Sequence, residues 1–219
     1  MSKMKNKRVI IFDWDGTLMD STPRIVAAVQ ETARVIDLPI PNDAAIKHII
    51  GLSLDTAFQR LFPRHFDDYA DHLFKEYRYQ YIDGDHVPTP LFDGIERLLK
   101  QLHSDQKQLS VATGKARRGL SRVIQGSQIE SLFVDSICAD EAESKPSAQM
   151  LDKLLDRNNW QASDCVMVGD TSHDINMAKN AGVESIAVSY GAHSYDYLVE
   201  SKPTQIANSV SQLEELLLS

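Results

Sequence analysis

Short, mostly apolar runs recur at 9–12, 109–112, 132–138, 165–168 and 183–188 of this 219-residue chain, and between them lie stretches with helical periodicity. A run such as Val9-Ile10-Ile11-Phe12 has no polar residue at alternate positions, so it reads as a strand covered on both faces. Strands of that kind pair in parallel, because helical crossovers are what cover both sides of a sheet. The crossovers are legible too. Ile95, Leu98, Leu99 and Leu102 share one helical face, and Ala116, Leu120, Val123 and Ile124 share another that Gly126 stops. Met150, Leu151, Leu154 and Leu155 follow Pro146-Ser147, while Ile175, Met177 and Ala178 run to Gly182, a natural terminator. The expectation is an α/β protein built on a doubly wound, Rossmann-like parallel sheet.

One stretch breaks the alternation. Residues 18–87 contain no convincing strand, only helical segments. Thr22-Pro23 opens the first, with threonine as cap, and Ile25, Val26, Val29, Ala33 and Ile36 line one face. Asn42 or Asp43 opens a second, closed by Gly51, and Ser53 opens a third that ends before Pro63. A fourth carries Phe66, Tyr69, Leu73, Tyr77 and Tyr81, a stripe whose spacing reads as helical core. The division expected is therefore a catalytic core of residues 1–17 and 88–219, interrupted by an all-α helical cap at 18–87. Ligands in open α/β sheets bind beyond the carboxyl ends of the strands, so an insert leaving the first strand at that edge is placed as a lid.

Composition narrows the function. Lys plus Arg total 23 against 31 for Asp plus Glu, a formal net charge of −8, which argues against a nucleic-acid binder. No apolar run approaches the roughly 20 residues of a membrane span. The basic start (Lys3, Lys5, Lys7, Arg8) is followed by only four apolar residues before Asp13, too few for a signal peptide, so the cytoplasm is the expected location. Two cysteines, Cys138 and Cys165, sit in apolar runs and read as small core hydrophobes.

The chemistry-bearing residues cluster at strand ends. Asp13 and Asp15 follow the first run directly, where desolvation and mutual repulsion oppose two carboxylates unless a hard divalent cation sits between them. Asp170 ends the run at 165–168 and Asp174 lies four residues on, where a helix begins, so both can face the strand tips; a plain helix-capping role for Asp170 or Thr171 is the simpler alternative. Thr113-Gly114 ends another strand with a hydroxyl and a closely approachable amide, and a helix starting near Lys115 adds an anion-favouring terminus. Lys145 follows the run at 132–138 and can neutralise a phosphoryl oxygen.

In that order, Asp13-x-Asp15-Gly16-Thr17, Thr113, Lys145, and Gly169-Asp170 with Asp174 resemble the four motifs of the haloacid dehalogenase-like hydrolases, and the helical insert resembles the cap of the phosphoglycolate phosphatase-like members. The resemblance implies a phosphatase acting on a small phosphorylated metabolite through an aspartyl-phosphate. Asp13 would be the nucleophile, Asp15 the acid and base, and Thr113, Gly114 and Lys145 the stabilisers of the phosphoryl group. Magnesium (Mg2+) would be held by Asp13, the main chain of Asp15, and Asp170, with Asp174 binding directly or through water.

Departures from other branches sharpen this. The dehalogenases lack the second aspartate, here Asp15. Phosphonate-cleaving members use a cap lysine near the position of Leu54, and only Lys47 is close by. Sugar-phosphate mutases carry a histidine where this chain has Ile25. A mutase or pyrophosphatase of the same superfamily, or a binding protein on this fold, stays open as an alternative. His173 is expected to be a partly exposed helix-start residue, and Arg24 with Gly51 is the candidate reader of the substrate's non-phosphate end.

Overall fold

The structure, a computed structural model, describes residues 3–84 and 87–218. Six parallel strands form one sheet: β1 (Val9–Phe12), β2 (Gln108–Thr113), β3 (Phe133–Cys138), β4 (Cys165–Gly169), β5 (Glu184–Val188) and β6 (Gln205–Ala207), in the order β3-β2-β1-β4-β5-β6. The chain moves outward from β1 to β3, then crosses back to β4 and moves outward the other way. The reversal falls between β1 and β4, which pair with Phe12 beside Val168. Where the strand order reverses, the connections leave in opposite directions and open a crevice at the strand tips.

The apolar runs supply both faces of this sheet, as their lack of alternation requires. Ile10 and Phe12 pack with Leu109, Val111, Val166 and Val168 under α5 (Ile95–Ser104), α6 (Arg117–Gly126) and α10 (Val210–Leu218). Val9 and Ile11 point the other way, toward α7 (Gln149–Asn158) and α8 (Ser172–Asn180). Both cysteines are free and buried in these layers. A short α9 (Tyr195–Glu200) precedes β6. Among the described residues, no helix is long and apolar enough to cross a membrane.

Between β1 and α5 come the four helices of the insert: α1 (Thr22–Val35), α2 (Asp43–Ile49), α3 (Leu54–Leu61) and α4 (Phe66–Ile82). They share their own core, in which Ile25, Val29, Ile46, Phe58, Phe62 and Leu73 are buried together. Asn42 and Ser53 cap α2 and α3 by accepting the amides of Ala45 and Thr56. The expected far boundary near 87 adjoins residues 85 and 86, which lie outside the described residues.

Two readings of the insert need correcting. Thr22 is the first residue of α1 rather than its cap; Ser21 holds the cap position, and its hydroxyl goes to Asp15 instead of a helix amide. The aromatic stripe of α4 is only partly internal, since Tyr69 is 38% exposed while Phe66, Leu73 and Tyr81 are buried.

Phe58 makes ring contacts with Phe62, Phe74 and Tyr77 and has no exposed surface. Phe58→Ala is expected to cost about 3–5 kcal/mol, and Tyr69→Ser less than about 0.5 kcal/mol. Denaturant unfolding of both variants checks this; similar losses would contradict the assignment of the insert's core.

Candidate active site

The turn after β1 is anchored from below. Asp13 continues the β1–β4 ladder by donating its amide to the Val168 carbonyl (2.9 Å), and Trp14 beneath it is fully buried. These fixings leave the Asp13 carboxylate in the crevice, with 0% exposure. Asp170 and Asp174 arrive from the end of β4 and the first turn of α8, and one oxygen from each of the three aspartates lies within 4.8 Å of the others.

Each flanking carboxylate is oriented by its own donors. Asp170 accepts the Thr17 hydroxyl at 2.9 Å and the Ala192 amide at 2.7 Å. Asp174 accepts the Thr171 hydroxyl (2.6 Å) and amide (3.1 Å) as half of a capping box, while its other oxygen takes Lys145 Nζ at 2.7 Å. The capping alternative for Thr171 is therefore true as well: one box both starts α8 and aims Asp174. Lys145, 1% exposed, also reaches Asp13 Oδ1 at 3.0 Å as an ion pair, and neither buried oxygen of Asp13 accepts a well-directed hydrogen bond.

The electrostatics follow from that packing. Burial, with further repulsion from Asp174 and Asp15, lifts the Asp13 carboxyl to about 7 despite Lys145. Burial raises Asp170 well above the ordinary carboxylate range, with Asp13 and Asp174 adding to it. Burial works against the charge on Lys145, yet Asp13 and Asp174 hold it above its usual value. Three buried carboxylates against one ammonium, with two underdonated oxygens on Asp13, suit a hard divalent cation that accepts carboxylate oxygens. Asp13, Asp170 and Asp174 could hold it.

Asp15 faces elsewhere. Its oxygens take the Ser21 hydroxyl at 2.5 Å and Lys115 Nζ at 2.9 Å, so the side chain stands apart from the three-aspartate cluster. Thr113, buried at the tip of β2, lies just past the level of Asp13, since Phe12 is in register with Val111. Gly114 meets the insert directly: a β-carbon there would fall 2.5 Å from the carbonyl oxygens of both Gly51 and Leu52. Gly51, at φ +89°, lies over the nucleophile, with the position of its missing β-carbon 3.8 Å from Asp13 Oδ2. Arg24 does not touch the cluster. Its guanidinium covers the ring of Tyr81, which Lys115 also meets, so it joins the site on the Asp15 side.

His173 differs from expectation. It is 6% exposed, its Nε2 sits 2.9 Å from the His48 carbonyl, and it packs with His48 and His193 where α2 meets the core. Burial lowers its pKa. Ser21, Lys115 and the amide of Ala192 were not identified as site residues from sequence; only Ser21, a hydroxyl beside a helix start, carried any local signal.

A family model described as "Haloacid dehalogenase-like hydrolase" matches residues 10–188. The chain belongs to that family. It is 30% identical over 218 residues to a phosphoglycolate phosphatase of Aliivibrio fischeri, with 96% of each chain covered. It is 29% identical over 219 residues to the phosphoglycolate phosphatase of Vibrio vulnificus strain CMCP6, again with 96% of each covered. The crystal structure of a predicted phosphatase from Clostridium acetobutylicum superposes with a TM-score of 0.86 at 25% identity, covering 97% of this chain and 98% of that one.

The raised Asp13 carboxyl sets a proton-linked expectation. Below about pH 7 the metal-free site holds a proton there that a divalent cation must displace. Magnesium affinity should therefore rise at least about tenfold per pH unit below 7 and flatten above it. Calorimetric titration at several pH values checks this, and a pH-independent affinity would contradict it.

Proposed function

We propose that this family member is a magnesium-dependent phosphatase that hydrolyses a small phosphomonoester, phosphoglycolate-like or a sugar phosphate, through an aspartyl-phosphate. The observation that carries the reading is the state of Asp13. It is buried, carries no well-directed hydrogen bond on either oxygen, and faces an ammonium, so its oxygens are free to attack phosphorus. Splitting hydrolysis into two displacements at one carboxylate lowers each barrier.

Asp15 stands beside the nucleophile on a separate network, as an acid and base must if it is to act on the leaving oxygen and then on water. It protonates the departing alkoxide first and deprotonates the attacking water second. Thr113, the Gly114 amide and Lys145 stabilise charge on the transferring group, which is positioning plus electrostatics. Bound magnesium, held by Asp13, the main chain of Asp15, Asp170 and Asp174, supplies charge neutralisation to the phosphoryl oxygens. Residues 18–87 act as the cap on a core of 1–17 and 88–219, with Arg24 and the Gly51 loop reading the leaving group. The tight seat of Gly51 over Asp13 favours small substrates. The partner is thus a small phosphorylated metabolite in the cytoplasm rather than a nucleic acid. The mutase alternative loses ground because Ile25 is 7% exposed and packed in the insert's own core.

Turnover of an aryl phosphate with magnesium is the first test. Asp13→Asn should lower it more than roughly a thousandfold, while removing one repelling charge keeps the metal-free fold at least as stable. A folded variant with near-normal turnover would end the aspartyl-phosphate reading. Chelation should abolish activity, magnesium should restore it, and calcium should substitute poorly because it takes more ligands at longer distances.

Gly114→Ala provides a second test, because its methyl group collides with the Gly51 and Leu52 carbonyls. It should lower kcat/KM by at least about tenfold, since misplacing a lid by around an ångström costs more than that. Unfolding stability of the variant should stay near that of the parent, and unchanged kinetics would show that the loop does not seat there during catalysis.

A further inference from the structure

Tyr81, near the end of α4, is 6% exposed, and three cations gather on its ring. Lys115 Nζ lies 4.9 Å from the centroid, Arg24 Cζ 5.1 Å and Arg122 Cζ 5.8 Å. Tyr81 and Arg24 belong to the insert; Lys115 and Arg122 belong to the segment that follows β2. The ring therefore sits on the seam between the two parts of the molecule, with positive charge contributed from both sides.

A single cation over an aromatic face is a favourable contact. Three around one ring repel one another, and the Lys115 side chain is only 12% exposed, so water and salt screen its share of that repulsion poorly. The carboxylate that Lys115 meets is Asp15, already bonded to Ser21. Among the described residues Arg122 forms no ion pair. Lys115 thus links two places: the acid that serves the leaving oxygen and a seam with surplus positive charge.

We propose that this seam is a binding subsite for a second anionic group on the substrate, a carboxylate or phosphoryl carried by the leaving group and held by Arg24, Lys115 and Arg122 against Tyr81. This rests on the phosphatase reading above for the direction in which the leaving group points. Guanidinium forks match the planar oxygens of a carboxylate or the oxygens of a phosphoryl group. An anion held between Arg24 on one side and Lys115 with Arg122 on the other also cancels the repulsion that opposes closure. The insert then closes most readily on substrates that bring this charge, and esters with neutral leaving groups close it less well.

The test compares three two-carbon esters on the full-length protein with magnesium: phosphoglycolate, ethylene glycol bisphosphate and ethyl phosphate. In the parent protein, kcat/KM for at least one doubly anionic ester should exceed that for ethyl phosphate by at least roughly tenfold. The preferred anion tells carboxylate from phosphoryl. Arg24→Gln and Arg122→Gln should each shrink that ratio several-fold. Arg97→Gln, on an exposed pair with Glu214 far from the seam, should leave it unchanged. Equal kcat/KM for all three esters in the parent would overturn the proposal, as would ratios unmoved in both seam variants. A uniform drop on every ester would also overturn it, because it marks the cations as structural glue. Calorimetric binding of the same esters to Asp13→Asn gives the comparison without turnover. Tighter binding of a doubly anionic ester there supports the subsite, and equal affinities overturn it. Absence of hydrolysis of any ester, aryl phosphate included, would count against the phosphatase reading, while the binding comparison still decides the subsite.

Discussion

Three carboxylates gathered within 4.8 Å, with essentially no exposure, repel one another and lose their hydration, and the ammonium of Lys145 is what makes the arrangement tolerable. It bonds Asp174 at 2.7 Å and pairs with Asp13 at 3.0 Å. Around this pairing the rest of the site is arranged. Thr171 and Lys145 divide the oxygens of Asp174 between them, Thr17 and Ala192 hold Asp170, and Asp13 is left with lone pairs to use. The fold makes this possible by bringing β1 and β4 side by side at the reversal of strand order, so the tips of strands distant in sequence face one crevice. Burial therefore serves two ends: it excludes water from the reacting group and keeps opposing charges strongly coupled.

Much of the site could be read from the residues because its parts are tied to strand ends, and buried parallel strands announce themselves as apolar runs. Asp13, Thr113 and Asp170 each follow such a run by a residue or less, so the positions of β1, β2 and β4 carried them to the same edge. The elements that escaped lack that signal. β6 is three residues, Gln205–Ala207, of which only Ala207 is buried. The cap of α1 was misplaced by one residue because Ser21 and Thr22 are equally good capping types, and the competing acceptor, Asp15, comes from a neighbouring turn. Exposure of His173 was misjudged for a similar reason. What buries it is α2 of the insert, through the carbonyl of His48, 125 positions away. The meeting of Lys115 with Tyr81, 34 residues apart and in different parts of the molecule, has no counterpart in any local pattern.

The helical insert is a small protein in its own right, with its own apolar core, yet its placement is governed by a few polar and backbone contacts. Ser53 donates its amide to the Ser144 hydroxyl at 2.9 Å, next to Lys145, and the His48 carbonyl meets His173, next to Asp174. The loop over Asp13 is thus tethered at both ends to neighbours of residues in the charged cluster. Its middle fits only because positions 51 and 114 lack β-carbons.

That seal has a kinetic meaning. Asp13, Lys145, Asp170 and Asp174 are each at most 1% exposed, so in this arrangement no solute in bulk water can touch any of them. Each catalytic cycle must include one parting of insert and core to admit a reactant and another to discharge the alcohol and inorganic phosphate. The frequency of that parting is an upper limit on throughput whatever the speed of the chemistry. Strengthening the tethers would make a steadier molecule and a slower one, and viscous drag on the helical insert enters the rate law beside the bond-making steps.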